Sequence, residues 1–313
     1  MRIATFRDAA GATRLGVARD GELVDLLRAA TLLNAPEARE ASALLTDMLA
    51  LIAAGPGALA RARELARSAP EEATLKPSAV QLLAPIPRPA KNIFCVGRNY
   101  AEHAAESYRA AGAQEPVQTP EAPNIFTKAV TSVTGPYDPI PVDPEVSAEL
   151  DWEVELGVVL GQGGRHIARE DALSHVFGYT VINDVSARDI QHKAGLQWFI
   201  GKSLDASCPM GPWIVTADEI PDYKRLTLSL TINGALKQQD TPASMIFDVP
   251  SLIAYLSRHL TLEPGDIIAT GTPAGVGYAR TPKEFLRPDD IMETTIDAIG
   301  TLRNPIVSAS SAQ

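Results

Sequence analysis

Acidic side chains stand at alternate positions in the segment Leu150–Leu160, which reads LDWEVELGVVL. Side chains of an extended strand alternate between its two faces, so Asp151, Glu153 and Glu155 are predicted to share one face. The surrounding Val and Leu residues indicate a buried strand, in which neighbouring carboxylates repel one another and lose hydration. A bound divalent cation would compensate this charge. The alternative is an acidic face exposed to water.

A further carboxylate, Asp184, follows the apolar segment Phe177–Asn183, which is predicted to be a second strand. The residues after it are predicted to start a helix, with Ser186 as its N-cap and Asp189 at the third helical position. Two glutamates and one aspartate would offer three oxygen ligands, with no His or Cys alongside. Such a set suits Mg²⁺, or Mn²⁺ or Ca²⁺, better than Zn²⁺. Three protein ligands also leave positions for water and a chelating substrate.

A histidine and a glutamate three residues apart, His103 and Glu106, lie in Ala101–Ser107, a segment predicted to be a short helix. Residues at this spacing share a helical face, so the carboxylate can orient the imidazole, which can then activate water. A surface pair has the same spacing, and the spacing alone leaves both interpretations open. The next stretch, Ala111–Ala122, is polar with Gly and Pro and is predicted to be a mobile lid segment.

The composition limits the partners that this chain can have. It has 313 residues, with 28 Lys and Arg against 38 Asp and Glu, a formal net charge of −10. This acidic balance argues against a nucleic-acid surface and against a polybasic membrane anchor, but not against a small anionic substrate. Two distant cysteines, Cys95 and Cys208, indicate a reducing compartment. The N-terminus lacks the apolar run of a signal peptide, so we expect a cytoplasmic protein.

The chemistry-bearing residues all lie in the second part of the chain. Residues 1–80 alternate short β-like runs with Ala- and Leu-rich helical stretches and are predicted to form a small α/β domain. A Pro-rich linker is predicted at residues 81–90. From residue 91 to 308 we predict a mostly β domain with few helices, including a hairpin at Asn233-Gly234 and a helix over Ser244–Leu260. The fold class is therefore predicted as α+β, predominantly β.

Five segments together resemble the fumarylacetoacetate hydrolase family. They are, in the family's order, VGRNYAEH at 96–103, DWEVELGVV at 151–159, NDVSARDIQ at 183–191, GKS at 201–203 and GDIIATGTPAGVG at 265–277. The resemblance covers about residues 90–300. It implies the family's mixed β-roll for the second domain, and a homodimer. The small N-terminal domain is similar to that of the longer bacterial members.

The resemblance also implies roles for particular residues. It implies metal binding by Glu153, Glu155 and Asp184, catalysis by His103, Glu106 and Lys202, and substrate binding by Arg98, Lys128, Arg188, Gln191 and Thr272. Asp151 is expected to support the site rather than to bind the metal. Arg188 fits a salt bridge at a helix start equally well, and Thr272 also fits a plain turn after a strand.

The family resemblance implies several related reactions. Our first hypothesis is a metal-dependent hydrolase, with Mg²⁺ as the expected cofactor, that cleaves a carbon–carbon bond of a 2,4-dioxo acid such as an acylpyruvate or fumarylpyruvate. The reaction would pass through an enolate that the metal and a lysine stabilise. The alternatives are decarboxylation of an oxaloacetate-like acid, hydroxymuconate isomerisation and oxoalkenoate hydration. A non-catalytic metal-binding protein is the remaining possibility.

Overall fold

The structure, a computed structural model, describes residues 1–40, 42–110, 112, 120–193 and 196–309. Within them the chain forms 19 strands and 8 α-helices. The predicted lid segment 111–122 lies outside the described residues, except for residue 112 and residues 120–122. No helix in the described ranges is long and apolar enough to cross a bilayer.

The strands, in chain order, are β1 (Arg2–Arg7), β2 (Thr13–Arg19), β3 (Glu22–Asp25), β4 (Thr74–Leu75), β5 (Gln81–Leu82), β6 (Ile93–Gly97), β7 (Asn124–Lys128), β8 (Val133–Thr134), β9 (Ile140–Val142), β10 (Leu150–Asp151), β11 (Val154–Leu160), β12 (Val176–Asn183), β13 (Ser186–Ala187), β14 (Cys208–Thr216), β15 (Leu228–Ile232), β16 (Ala235–Asp240), β17 (Ile267–Ala269), β18 (Ile291–Ile296) and β19 (Gly300–Ser308). The α-helices are α1 (Leu26–Leu32), α2 (Glu37–Glu40), α3 (Met48–Ala53), α4 (Gly55–Ser68), α5 (Ala101–Ala110), α6 (Arg188–Lys193), α7 (Trp198–Gly201) and α8 (Val249–His259).

A large mixed sheet carries most of the site. Its strand order is β4-β3-β2-β1-β14-β12-β11-β17-β6-β7, with β5 added on β1 and β8 on β14. Most pairs are antiparallel, but β17 runs parallel to β6. A five-stranded sheet, β16-β15-β18-β19-β9, packs against it through a core that also includes the apolar face of α8. Strands outnumber α-helices, in agreement with the predicted α+β, predominantly β fold class.

The first 80 residues share the large sheet with the rest of the chain. Strand β1 pairs with β14 at Arg2–Val215 and Ile3–Ile214. Strand β5, which lies in the predicted linker, pairs with β1. The predicted boundary at residues 81–90 therefore does not coincide with a break in strand pairing.

Several local predictions need correction. Residues 150–160 do not form one strand, because the pairing stops after Asp151 and resumes at Val154. Ser186 is not a helix N-cap: it lies in the short strand β13, and α6 begins two residues later. The helix predicted over residues 244–260 begins only at Val249, where Asp248 caps it.

Other local predictions are confirmed. Asn233 and Gly234 both have positive φ and join β15 to β16 in a hairpin. The short helix predicted at residues 101–107 is present and continues to residue 110. Cys95 and Cys208 are buried free thiols.

Candidate active site

Three buried carboxylates meet where β11 and β12 pair. One oxygen each from Glu153, Glu155 and Asp184 lies within 4.8 Å of the other two. Glu155 lies in β11, Glu153 lies in the gap between β10 and β11, and Asp184 directly follows β12. The Asp184 amide donates to the Glu153 carbonyl at 2.9 Å. The gap between β10 and β11 therefore places Glu153 beside Asp184, and Glu153 still lies close to Glu155.

The third carboxylate of the segment Leu150–Leu160, Asp151, is turned away from this cluster. Its oxygens accept hydrogen bonds from the backbone amides of Trp152, Gly277 and Tyr278 and from Nε of Arg188. Because these contacts hold Asp151 out of the line of β11, its side chain does not share a strand face with Glu153 and Glu155, as strand alternation predicted it would. As expected from the sequence, Asp151 is not in the acidic triad.

Three buried cations surround the triad. The Nζ atom of Lys202 donates to Glu153 and to Asp184, both at 2.7 Å. The Nζ atom of Lys128 lies 2.9 Å from Asp184 Oδ1 and also contacts the carbonyl oxygen of Lys202. Arg188 donates to Glu153 at 2.7 Å. Lysine and arginine are seldom fully buried unless paired, so these contacts are what keep them inside.

The electrostatic environment shifts the pKa values of Glu153 and Glu155 in opposite directions. Burial pushes the pKa of Glu153 upward, but the charges of Lys202 and Arg188 hold that pKa well below its usual range. Burial raises the pKa of Glu155 well above its usual value, and the charges of Asp184 and Glu153 raise it further. Glu155 accepts a hydrogen bond from the Gly271 amide at 2.9 Å. Among the described residues it is the member of the triad that forms no ion pair.

The triad fits a divalent cation on the chemistry of its donors. It offers oxygen ligands alone, and hard cations such as Mg²⁺, Mn²⁺ and Ca²⁺ prefer such ligands. Oδ1 of Asp184 is buried and accepts no hydrogen bond from the described residues, although Lys128 lies beside it. A bound cation would satisfy this oxygen and compensate Glu155. The acidic triad predicted from the sequence is therefore a group that could hold a divalent metal.

The His–Glu pair lies on the other side of the site. His103 Nδ1 is 2.9 Å from Glu106 Oε1, and His103 is only 6% exposed. The Gly275 amide donates to both oxygens of Glu106 at 3.0 Å. The described residues give Nε2 of His103 no hydrogen-bond partner. This geometry rules out an exposed surface pair and leaves Nε2 available to a substrate or a water molecule.

A small cavity of about 30 Å³ joins the two halves of the site. The predicted site residues on its walls are Arg98, His103, Glu153, Arg188, Gln191, Lys202 and Thr272. An outer groove of about 310 Å³ shares Arg98 and Arg188 with it and continues toward Lys283.

The remaining predicted substrate-binding residues differ in their placement. Arg98 has positive φ, and its guanidinium lies 4.5 Å from the centre of the Tyr108 ring. Gln191 accepts a hydrogen bond from Arg188. Thr272 donates to the Val154 carbonyl and accepts from a glutamine side chain. Lys128 does not line the cavity, because it is buried behind Asp184 as a counter-charge.

Tyr278 and His192 are among the cavity-lining residues that were not predicted from the sequence. Tyr278 packs its ring beside the guanidinium of Arg188 at 4.6 Å and against the ring of His192 at 5.2 Å. Burial and the charges of Arg188 and Arg98 lower the pKa of His192 to about 4, so its ring is neutral near pH 7. Neither residue belongs to a motif of recognisable spacing. Their roles follow from long-range packing that a single sequence does not display.

The mixed β-fold thus brings together an acidic triad that could hold a divalent metal, a buried lysine and a His–Glu pair. The family model described as fumarylacetoacetate (FAA) hydrolase, C-terminal, matches residues 92–307. The chain therefore belongs to the fumarylacetoacetate hydrolase family, as its five motifs predicted. The matched range nearly coincides with the predicted catalytic region, residues 91–308.

Curated relatives and solved structures agree with this membership. Oxaloacetate tautomerase YisK of Bacillus subtilis is 47% identical over 266 residues, covering 83% of this chain and 86% of that protein. Mitochondrial oxaloacetate tautomerase fahd2 of Xenopus laevis is 46% identical, covering 74% of this chain and 70% of that protein.

Solved structures of the family match nearly the whole chain. A fumarylacetoacetate hydrolase from Exiguobacterium antarcticum aligns with TM-score 0.79 and 37% identity, covering 98% of this chain and 99% of that one. A maleylpyruvate hydrolase from Sphingobium sp. SYK-6, in complex with manganese(II) and pyruvate, aligns with TM-score 0.74 and 30% identity, covering 98% and 99%. These matches confirm the predicted α+β fold, including its N-terminal part.

Replacing Lys202 with methionine is expected to increase the thermal shift that Mg²⁺ or Mn²⁺ produces. The ammonium contacts oxygens of Glu153 and Asp184 that a cation would also use, so removing it eliminates a competitor. The metal-free variant should lose on the order of 3 kcal/mol of stability, because breaking a buried ion pair leaves uncompensated charge. Differential scanning calorimetry with and without metal measures both effects. K224M, at an exposed lysine, is the control. An unchanged or smaller metal shift in K202M would contradict this prediction.

Proposed function

We propose that this protein is a divalent-metal-dependent enzyme that interconverts the keto and enol forms of oxaloacetate or a similarly short 2-oxo diacid. One observation carries the proposal: His103, whose Nε2 has no hydrogen-bond partner among the described residues, and Lys202 line the same small cavity, next to the acidic triad. Similarity to the two oxaloacetate tautomerases supports the choice of substrate.

The residues of this chain can divide the reaction between them. His103 Nε2 would take a proton from C3 of the keto form, and Glu106 would hold the imidazole in position through Nδ1. The electrons of the broken C–H bond would form the C2–C3 double bond, leaving negative charge on the 2-oxo oxygen. The ammonium of Lys202 would stabilise that oxygen. Transfer of the proton from the His103 imidazolium to this oxygen would complete the enol and restore the neutral imidazole, and the reverse order would return the ketone.

The substrate carboxylates need cationic partners at the cavity wall. Arg98 has no carboxylate partner among the described residues, so it is available to bind one. Arg188 is engaged by Asp151 and Glu153 and is better suited to holding the site together. A divalent cation held by Glu153, Glu155 and Asp184 would supply Lewis-acid stabilisation of negative charge on the substrate.

Stopped-flow measurement of oxaloacetate tautomerisation tests the proposal. The ultraviolet absorbance of the enol should decay faster with the enzyme and Mg²⁺ or Mn²⁺ than without it, and EDTA should abolish the acceleration. H103A in the same assay separates catalysis at the site from a contaminating activity. No acceleration with metal present, or an acceleration that survives EDTA, would overturn the proposal. Pyruvate and CO₂ are assayed in parallel, because their enzyme-dependent release would indicate a decarboxylase instead.

The second candidate is the hydrolase predicted from the sequence, acting on a 2,4-dioxo acid. The outer groove of about 310 Å³ favours it, because a longer substrate could extend from the inner cavity into that space. The similar fold of a maleylpyruvate hydrolase adds support. His103 would then take a proton from the water that attacks the distal carbonyl. Incubation with maleylpyruvate or fumarylpyruvate, followed by assay of pyruvate, distinguishes the two candidates, since tautomerisation releases no pyruvate.

A further inference from the structure

We propose that Asp151 is a positioning residue that couples the helix carrying His103 and Glu106 to the acidic triad, through the glycine-containing loop at residues 275–278. The residue touches neither the cavity nor the triad. Its carboxylate instead contacts the loop, through the amides of Gly277 and Tyr278, and it contacts Arg188, which in turn donates to Glu153. The kinetic part of the test below rests on the proposed function, whereas the exchange measurement does not.

The carboxylate of Asp151 organises the loop from one side. Oδ1 accepts from the amides of Trp152 at 2.8 Å and Gly277 at 2.7 Å. Oδ2 accepts from the Tyr278 amide at 3.1 Å and from Nε of Arg188 at 2.8 Å. The group is completely buried, and four donors satisfy it. A carboxylate surrounded in this way has little freedom to move, so it holds its donors in one arrangement.

The same loop holds α5, the helix that carries the His–Glu pair, from the opposite side. The Gly275 amide donates to both oxygens of Glu106 at 3.0 Å. Tyr278 and Ser107, which lies one residue further along the helix, line the same cavity. The Gly275 carbonyl in turn accepts from Nε1 of Trp152 at 3.2 Å. The loop therefore connects Asp151 and Trp152 directly to Glu106.

The backbone of this loop has no spare room. Gly275 has a φ of 111°, and a Cβ there would lie 2.2 Å from the Lys237 carbonyl oxygen. A Cβ at Gly277 would lie 2.7 Å from Oδ1 of Asp151. Both positions need glycine, because the chain passes close to a backbone oxygen or to the carboxylate itself. The loop is thus shaped around Asp151 and cannot easily shift to compensate for its loss.

Arg188 completes the connection to the triad. Its guanidinium donates to Asp151 through Nε and to Glu153 at 2.7 Å. A continuous set of contacts then runs from Glu153 through Arg188, Asp151 and the loop to Glu106. The distance between the base and the carboxylates is set by this chain of contacts. A displacement of about 1 Å is enough to reduce catalysis by about a hundredfold.

The variant D151N tests the proposal. An asparagine has the same shape, but its amide group would face two of the four donors, so the loop should lose part of its support. We expect faster hydrogen exchange of the Gly275 amide and of α5, measured without substrate or metal. We expect kcat to fall about 10- to 100-fold, with KM and metal affinity within about threefold of the wild type.

The combination D151N/E106Q separates positioning from general destabilisation. If Asp151 acts through Glu106, the double variant should lose little more activity than E106Q alone. D266N is the matched control, because Asp266 is also buried and accepts from a lysine and a backbone amide, outside the site. Any loss of activity caused by D266N should add to the loss caused by E106Q in the combined variant. Hydrogen exchange of the Gly275 amide in D266N should stay as slow as in the wild type.

A second variant, W152F, guards against a failure of D151N to fold. It removes the bond from Nε1 to the Gly275 carbonyl and leaves the backbone bonds to Asp151, so exchange of the Gly275 amide should rise by a smaller amount. Unchanged hydrogen exchange of the Gly275 amide in D151N would overturn the proposal. A loss of activity in D151N/E106Q that equals the combined losses of the two single variants would also overturn it. Unchanged exchange of the Gly275 amide in W152F would overturn it as well. If exchange changes as expected but no substrate is turned over by the wild type, the proposed function fails and the positioning role stands.

Discussion

Replacing Glu155 with glutamine is expected to abolish divalent-metal binding while making the metal-free protein more stable. The affinity should fall more than a hundredfold, since even partners outside the ligand set contribute 10- to 100-fold. The metal-free protein should gain on the order of 1 kcal/mol, because a buried carboxylate beside two others is replaced by a neutral amide of similar shape. Isothermal titration calorimetry and urea unfolding measure the two effects.

The stability of the metal-free protein should depend on pH in a defined direction. Burial and its acidic neighbours raise the pKa of Glu155 in the folded protein, so the folded state binds a proton more readily than the unfolded state. In the metal-free wild type, stability should therefore fall as the pH rises above the ordinary glutamate pKa of about 4.3. The advantage of E155Q should be larger at pH 8 than at pH 5. E145Q, at an exposed glutamate, should show neither effect. A metal-free E155Q less stable than the wild type at pH 8 would contradict this account.

Replacing His103 with alanine is expected to remove catalysis and to leave the metal site intact. A positioned general base contributes about 10²- to 10⁴-fold, so kcat should fall by that factor. Metal affinity should stay within about threefold, because the imidazole is outside the acidic triad. Stopped-flow kinetics and calorimetric metal titration give the two values.

Two further variants of the same helix sharpen this result. In E106Q the amide oxygen can still accept from Nδ1 of His103, so the loss should be smaller than in H103A. E102Q, on the exposed side of α5, should have wild-type activity. Full activity in H103A would show that another group is the base, and a parallel loss of metal binding would show that the variant acts through the fold.

The sequence was most informative where the chemistry is local. Glu153 and Glu155 are two residues apart and Asp184 ends an apolar strand, so their residue types and spacing already indicated an oxygen-ligand site. The spacing of His103 and Glu106 likewise predicted the contact that α5 makes. Their catalytic roles stay predictions, whereas their contact is confirmed.

The features that the sequence analysis missed depend on distant partners. Residue 151 leaves the line of β11 because donors at residues 277 and 278, over a hundred positions away, hold its carboxylate. Lys128 was assigned to the substrate by resemblance, but in the structure its Nζ atom lies 2.9 Å from Oδ1 of Asp184 and contacts the carbonyl oxygens of Val185 and Lys202. Arg188 fitted either a pocket or a salt bridge, and the structure shows that it makes the ion pairs and also lines the cavity. A single sequence does not reveal such pairings.

The pairing of β1 with β14 has a consequence for anyone who shortens this protein. Removing the first 91 residues would leave Ile214 and Val215 of β14 without their partners in β1. Both side chains are buried, and the uncovered strand would become an apolar edge with free amide and carbonyl groups. Such edges recruit strands from other molecules and promote aggregation. The N-terminal segment therefore protects the catalytic sheet from self-association, and a fragment trimmed to the family boundary would require charged substitutions on β14 to remain monodisperse.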